Sequence, residues 1–182
     1  MAMREVAPVE ASELPLVELA EKLRLGTGFA DEALEAAGVE RACRAGIAAV
    51  EARTGRALIA RPFLWRLWSS PRGGAAPVPL VPVLSVGTVE VVRGGTRSAA
   101  FGWSTTDEAL LDMPVVPTGG AVEISLTAGH GAWSDVPRDL AEAALLVAAA
   151  LYEARGGAAA EMPAAADRLI APWRRLRLGG AG

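Results

Sequence analysis

The sequence predicts an α+β protein, in which a small helical bundle carries an inserted β-rich lobe and ends in an extended C-terminal tail. Helical apolar spacing flanks the centre of the chain at about 12–55 and 137–156, whereas the stretch at about 57–128 alternates apolar and polar residues between Gly/Pro turns. Residues 163–182 are rich in Arg and Gly and contain two prolines. We expect all 182 residues to form a single domain.

The first two helices are placed by their capping signals. Ser12 can cap a short helix that runs to Leu25, and Asp31 can cap a longer one that Gly55 ends. On the longer helix, apolar residues recur at helical spacing between small residues that allow close packing; they are Leu34, Cys43, Ile47 and Val50. We expect the residues before Ser12 to be loose.

The centre of the chain changes to a β pattern. Phe63, Trp65 and Leu67 alternate with residues of the other face, and prolines between 77 and 82 exclude a helix there and favour a sheet edge. The predicted strands are 57–68, 78–83, 85–92, 99–103, 109–113 and 122–128.

The third helix follows a turn that contains Gly129 and Gly131. Asp135 is predicted to cap it, Pro137 lies in its first turn, and it runs to Arg155. We expect this helix to pack against the helices that precede the β-rich lobe. Ala164 to Leu176 can form a last helix that Pro172 interrupts.

Composition limits the function classes. The chain is 52% hydrophobic with a mean hydropathy of +0.30, which supports a core and favours self-association or a partner. Its net charge of −3 argues against a protein that coats nucleic acid. Cys43 is the only cysteine, so an intrachain disulfide is excluded. With no signal-peptide or membrane-spanning pattern, we expect a soluble intracellular protein.

Candidate catalytic groups are few. His130, the only histidine, could act with Asp135 or Asp112 in a small enzyme, but a residue in a Gly-flanked turn is the favoured interpretation. Cys43 is interpreted as a buried small hydrophobe rather than a nucleophile. Asp107, Glu108 and Asp112 match no calcium-loop spacing. We therefore assign no catalytic, cofactor-binding or metal-binding residue.

The tryptophans have different expected roles. Core packing is favoured for Trp65 and Trp133, and Trp68 falls on the opposite strand face from Trp65. Trp173 lies among arginines, and Trp and Arg commonly anchor protein interfaces. The alternative for this basic segment is contact with nucleic acid through Arg168, Arg174, Arg175 and Arg177.

Five segments, in this order, resemble the head–tail connector (adaptor) family of tailed phages and gene transfer agents. The stretch from 93 to 118 matches no part of the family's pattern. The matching segments are LPLVELAEKLRL (14–25), VEARTGRAL (50–58), VPLVPVLSVGTVEV (78–91), ISLTAGHGAWSDVPRDLAEAALLVAAALYEAR (124–155) and LIAPWRRLRL (169–178).

The resemblance implies a structural virion protein with no catalytic residues and no cofactor. Such a subunit forms a ring of about twelve copies in the particle neck, after assembly in the host cytoplasm. The ring joins the portal protein to stopper or tail-completion proteins, and DNA passes through its lumen without contact with a membrane. The resemblance also implies that the C-terminal segment docks on the portal, through Arg168, Leu169, Ile170, Trp173, Arg174, Arg175, Leu176 and Arg177. The alternatives are a nucleic-acid-binding assembly factor that acts through the Arg-rich tail, or a small enzyme that uses His130.

Overall fold

The computed structural model describes residues 2–25, 33–70, 74–100, 104–105, 110–112, 115–154 and 161–174. The chain divides into two compact units. The β unit comprises Met1–Val9 and Ile59–Gly131, and the helical unit comprises Glu10–Leu58 and Ala132–Gly182. Helices and an antiparallel sheet are both present, so the predicted α+β class is confirmed.

The β unit contains two antiparallel sheets within the described residues. The strands are β1 Ala2–Glu5, β2 Arg61–Leu67, β3 Ala75–Pro77, β4 Val83–Arg93, β5 Thr96–Ala99, β6 Ser104–Thr105, β7 Leu110–Asp112 and β8 Gly120–Ala128. A five-stranded sheet has the order β1-β2-β8-β4-β5, and a three-stranded sheet has the order β3-β7-β6.

One face of the larger sheet forms the core of the β unit. Along β2, Phe63, Trp65 and Leu67 are buried, while the residues between them are partly exposed. Trp65 pairs with Ile124 in β8, and both side chains are fully buried. The alternation predicted for this segment is therefore correct, and the core prediction for Trp65 is confirmed.

Gly129 allows the chain to turn sharply after β8. Its φ of +136° lies in a region that side-chain-bearing residues rarely adopt. A Cβ atom there would lie 2.4 Å from Ala60 Cα, so the backbones approach too closely for any other residue. The Gly129 N–H donates to the Pro82 carbonyl at 2.9 Å. The Gly-flanked turn predicted from the sequence is thus a site of tight backbone packing.

The helical unit contains four α-helices and three single 3-10 turns within the described residues. The second and third helices carry its core, through Val39, Cys43, Ile47 and Val50 on one and Leu140, Ala144 and Ala148 on the other. The helices are α1 Leu16–Lys22, α2 Ala33–Thr54, α3 Arg138–Glu153 and α4 Ala164–Ile170, and the 3-10 turns are Ala11–Glu13, Trp133–Asp135 and Ala171–Trp173.

The contact between α2 and α3 depends on Gly46. A Cβ atom at this position would lie 2.5 Å from the Ala144 carbonyl oxygen and 2.7 Å from the Ala148 nitrogen. Both atoms belong to the α3 backbone, which cannot move aside as a flexible side chain can. The two helices therefore approach almost to backbone contact, and the predicted packing of the flanking helices is present.

Several boundaries differ from the sequence prediction. The N-terminus is not loose, because Ala2–Glu5 pairs along β2 as an edge strand. The first helix is interrupted after the turn Ala11–Glu13 and begins again at Leu16, beyond Pro15. Leu34 is 92% exposed, and Val39 occupies the core instead. The predicted cap Asp31 lies outside the described residues.

Asp135 does not cap α3 as predicted. It ends the 3-10 turn Trp133–Asp135, and its carboxylate accepts the Ala132 N–H at 2.9 Å. Helix α3 begins at Arg138, directly after Pro137. The proline moves the start of the helix because its ring disfavours helical geometry at the preceding residue, and Val136 is extended with a ψ of 131°. The Asp135 side chain therefore serves the preceding turn.

We predict opposite effects for alanine at two glycines of α2. Gly46→Ala should lower the free energy of unfolding by roughly 1–3 kcal/mol, because the added methyl forces α2 and α3 apart. Gly38→Ala should raise it by up to about 1 kcal/mol, since alanine favours the helix and its Cβ meets only Tyr152 Cε2 at 3.6 Å. Urea unfolding of both variants measures this, and equal effects would contradict the close approach.

Candidate assembly interface

The C-terminal segment is folded onto the helical unit in its first part. Helix α4 contacts α2 and α3, and the side chains of Ala166 and Ile170 are fully buried. The turn Ala171–Trp173 follows directly. Helix α4 and this turn confirm, within the described residues, the last helix that was predicted to begin at Ala164 and to be interrupted by Pro172. Residues 164–173 are therefore not an extended part of the tail; the segment is helical because Ala166 and Ile170 cover an apolar surface.

Charged and aromatic contacts also hold this segment. The Asp167 carboxylate lies 3.7 Å from Arg53 of α2, and it forms a close ion pair with Arg174. The Arg56 guanidinium lies over the Trp173 ring, 4.9 Å from its centroid. All five side chains retain contact with solvent, so each pair contributes at most about 1 kcal/mol. Burial of Ile170 stabilises the segment more, by roughly 2 kcal/mol.

The structure separates the predicted portal-interface residues into three groups. Ile170 is buried inside the helical unit, so its side chain is corrected from an interface residue to a core residue. Arg168 and Arg174 are exposed, and Leu169 and Trp173 are partly exposed. Arg175, Leu176 and Arg177 lie outside the described residues.

The candidate nucleophile is buried. Cys43 is 1% exposed on α2, which confirms its prediction as a small buried hydrophobe. Burial raises the pKa of the Cys43 thiol to about 12, and the charge of Arg44 acts in the opposite direction. At neutral pH the side chain is therefore a neutral thiol, which lacks the nucleophilic character of a thiolate.

His130 occupies a turn, and the carboxylates named with it have other partners. His130 lies between Gly129 and Gly131 in a bend, as predicted. Asp135 accepts the Ala132 N–H, and Asp112 accepts the Ser104 hydroxyl at 2.7 Å. Within the described residues no three His, Cys, Asp or Glu side chains form a metal-binding group. Asp107 and Glu108 lie outside those residues.

The other tryptophans take different positions. Trp133, predicted to pack in the core, is partly exposed, and its indole N–H donates to the Glu18 carboxylate at 3.0 and 3.1 Å. This bond fixes the turn before α3 against α1. Trp68 lies directly after β2 with 52% of its surface exposed.

A second surface, absent from the sequence prediction, lies on the outer face of the five-stranded sheet. It is an open groove of about 320 Å³ within the β unit. Its residues come from β1, β2, β5 and β8 and from the residue that follows β2. They are Ala2, Arg4, Leu64, Arg66, Trp68, Arg97 and Glu123. The strand alternation at 64, 66 and 68 is the one sequence signal that could have pointed to this face.

Glu123 is the charged centre of this groove. Its side chain is only 4% exposed, and its two carboxylate oxygens lie 3.4 Å from Arg66 Nε and 2.5 Å from Arg97 Nη1. Arg97 also donates to Glu90 at 3.0 Å, and these two carboxylates raise the pKa of Arg97. A buried carboxylate requires such partners, because an unpaired one would lose its hydration without compensation.

The chain matches complete chains in solved gene transfer agent particles. In the neck of an empty particle computed with C6 symmetry, a chain is 40% identical, with a TM-score of 0.87 over 100% of this chain and 99% of that one. The virion of a native particle gives 40% identity and a TM-score of 0.84 with the same coverage. The neck of a native particle computed with C12 symmetry contains a chain that is 36% identical, with a TM-score of 0.80 and the same coverage.

The chain belongs to the head–tail connector (adaptor) family of gene transfer agents and tailed phages. Identities of 36–40% over the full length establish this. The chain is therefore a component of the particle neck. No protein-family model and no curated protein matches the chain. The resemblance found in the sequence is confirmed.

The segments that carried the resemblance are parts of the helical unit and of the central strands. The segment 14–25 contains α1, and 50–58 contains the end of α2. In the latter, Glu51 accepts the Leu58 N–H at 2.8 Å and the Thr54 hydroxyl donates to the Val50 carbonyl. The connector motif therefore fixes how the chain leaves α2. Among the described residues, no helix is long and apolar enough to cross a membrane.

We predict that Cys43 makes the folding stability of the connector decrease at alkaline pH. The folded-state pKa of about 12 exceeds the ordinary value of 9.0, so the unfolded state loses this proton first. The resulting stability is fully present below pH 9 and is lost as pH rises toward 12. The free energy of unfolding should fall more steeply above pH 9 in the wild type than in Cys43→Ala. Parallel curves in urea titrations between pH 8 and 10.5 would contradict the prediction.

We predict that Ile170 affects folding much more than Asp167 does. Ile170→Ala should lower the free energy of unfolding by about 2–5 kcal/mol, because it leaves a cavity under α4. Asp167→Asn should lower the free energy of unfolding by less than about 1 kcal/mol, since the ion pairs of Asp167 are solvent-exposed. Urea unfolding compares the two variants, and a small effect of Ile170→Ala would mean that α4 does not belong to the core.

Proposed function

We propose that the chain is a structural adaptor subunit that forms a closed ring between the portal and the stopper or tail proteins. The observation that carries this proposal is its full-length likeness to chains in neck reconstructions with C6 and C12 symmetry. Cyclic symmetry is what one heterologous interface produces when its rotation closes. A ring of about twelve copies is consistent with both symmetries. The two compact units would act together as one connector domain.

The charge of the chain suits a ring that surrounds DNA in transit. Each subunit has a net charge of −3, so a ring would not hold the duplex tightly by phosphate neutralisation. Passage through a lumen requires such weak binding. In the described part of the C-terminal segment, the ion pair of Arg174 with Asp167 lowers the positive charge that the segment presents to phosphate.

We also propose a structural rather than a catalytic role. The thiol of Cys43 is buried and neutral, and the carboxylates of Asp112 and Asp135 accept hydrogen bonds from other residues. His130 serves a turn whose backbone is closely packed at Gly129. These positions are explained by folding alone, without a substrate or a cofactor.

For portal contact, we propose the exposed part of the C-terminal segment. Arg168 and Trp173 are of the residue types that anchor interfaces, and Leu169 is partly exposed next to them. Arg174 and the following Arg175, Leu176 and Arg177 complete the set. Ile170 supports this surface from below, because its burial fixes the orientation of α4.

The test is co-purification with the portal protein of the same particle. Wild-type chain should form a stoichiometric ring on the portal, and the mass of the complex gives the copy number. Deletion of residues 175–182, combined with Arg168→Glu, should reduce portal binding at least tenfold and leave folding intact. This truncation is preferable to an earlier one, because removal of Ile170 would disturb the core.

The matched control is Arg41→Glu, which changes one exposed arginine of α2 and should bind the portal as the wild type does. Failure of the wild type to join the portal would contradict the adaptor function. Wild-type affinity in the truncated variant would refute only the C-terminal assignment. Strong, salt-dependent DNA binding that the truncation abolishes would instead favour the nucleic-acid-binding assembly factor.

A further inference from the structure

The groove on the outer face of the sheet is lined by an arginine without an ion pair among the described residues, Arg4, and by an exposed aromatic ring, Trp68. Arg4 pairs with Leu64, four residues before Trp68. The Arg66 guanidinium lies over the Trp68 ring, 5.7 Å from its centroid. Arg66 and Arg97 are engaged by Glu123, and Arg97 also by Glu90. Arg4 has no ion pair among the described residues, and its side chain is exposed on the edge strand β1. Trp68 lines the same groove with 52% of its surface in solvent.

The chemistry of this groove suits a partner that presents one carboxylate and one apolar side chain. An unpaired guanidinium binds a carboxylate well, and the indole supplies apolar area for an aliphatic contact. DNA fits less well, because phosphate binding improves with several unpaired cations, whereas Glu123 and Glu90 already neutralise two of the arginines here.

The chain itself carries such a pair on α1. Val17 is 66% exposed, and Glu21 lies four residues later on the same side of the helix. Glu21 is exposed and has no ion pair among the described residues. Its neighbour Glu18 differs, since its carboxylate is occupied by the indole of Trp133. The outer face of α1 therefore presents one aliphatic group and one available carboxylate.

We propose that the groove of one subunit receives the outer face of α1 from a neighbouring copy. Glu21 of the neighbouring copy pairs with Arg4, and Val17 of that copy packs on Trp68. The contact joins two different patches, which is the heterologous arrangement that a ring requires. This inference rests on the proposed ring and names the surfaces that build it. Complementary charge lets subunits of equal net charge associate.

The test is a charge swap in the full-length chain. Arg4→Glu and Glu21→Arg should each weaken self-association about tenfold or more, because each places like charges together. The double variant should recover most of the lost self-association, since the ion pair is restored with its two charges exchanged between the positions. Mass photometry and sedimentation measure the assembly, with the chain alone and with the portal protein, and circular dichroism verifies the fold.

Matched controls are Arg93→Glu in β4 and Glu153→Arg in α3, which make the same charge changes at exposed positions outside both patches. They should assemble as the wild type does.

Normal assembly of Arg4→Glu, or failure of the double variant to recover self-association, would overturn the proposed contact and leave the proposed ring unaffected. Absence of any wild-type ring, alone or on the portal, would overturn both proposals. If Arg4→Glu and Trp68→Ala instead abolish binding of a duplex DNA probe while rings form normally, the groove binds DNA and the inference is wrong.

Discussion

The close approach of α2 and α3 at Gly46 is the constraint on which the helical unit depends. With the helix backbones almost in contact, alanines on α3 suffice as a core, and little volume is needed between the two helices. Helix α4 then packs on the outside of this pair and places Arg168 and Trp173. A larger residue at position 46 would disturb the helix pair and, through it, the surface proposed for the portal.

Local sequence signals were sufficient to predict a helix or strand whose apolar spacing and end signals lie within the element itself. Helices α2 and α3 follow from apolar spacing and glycine stops, and β8 follows from alternation. The strand β1 could not be predicted, because it is stabilised by pairing with β2 about sixty residues later. Asp135 was assigned to the wrong element for a local reason: Pro137 delays the helix, so the side chain caps an earlier turn.

The sequence predicted which residue types the candidate interface contains, but it did not predict which of their side chains are buried or which come together in space. The basic, Trp-containing segment near the C-terminus was visible in the sequence, but burial of Ile170 was not, since it depends on where α4 docks. The groove was missed because its charged residues are far apart in the chain. Arg4, Arg66, Arg97 and Glu123 come together only through the strand order of the sheet.

The arginines show why positively charged residues in a sequence need not make a basic surface. Arg66 and Arg97 share Glu123, and Arg174 shares Asp167 with Arg53. Each carboxylate thus removes two guanidinium groups from the set that could bind phosphate. An arginine without an ion pair among the described residues, such as Arg4, can then select a partner by position rather than by total charge. For a subunit proposed to line a path for DNA, this arrangement reconciles specific assembly with weak attraction for the duplex.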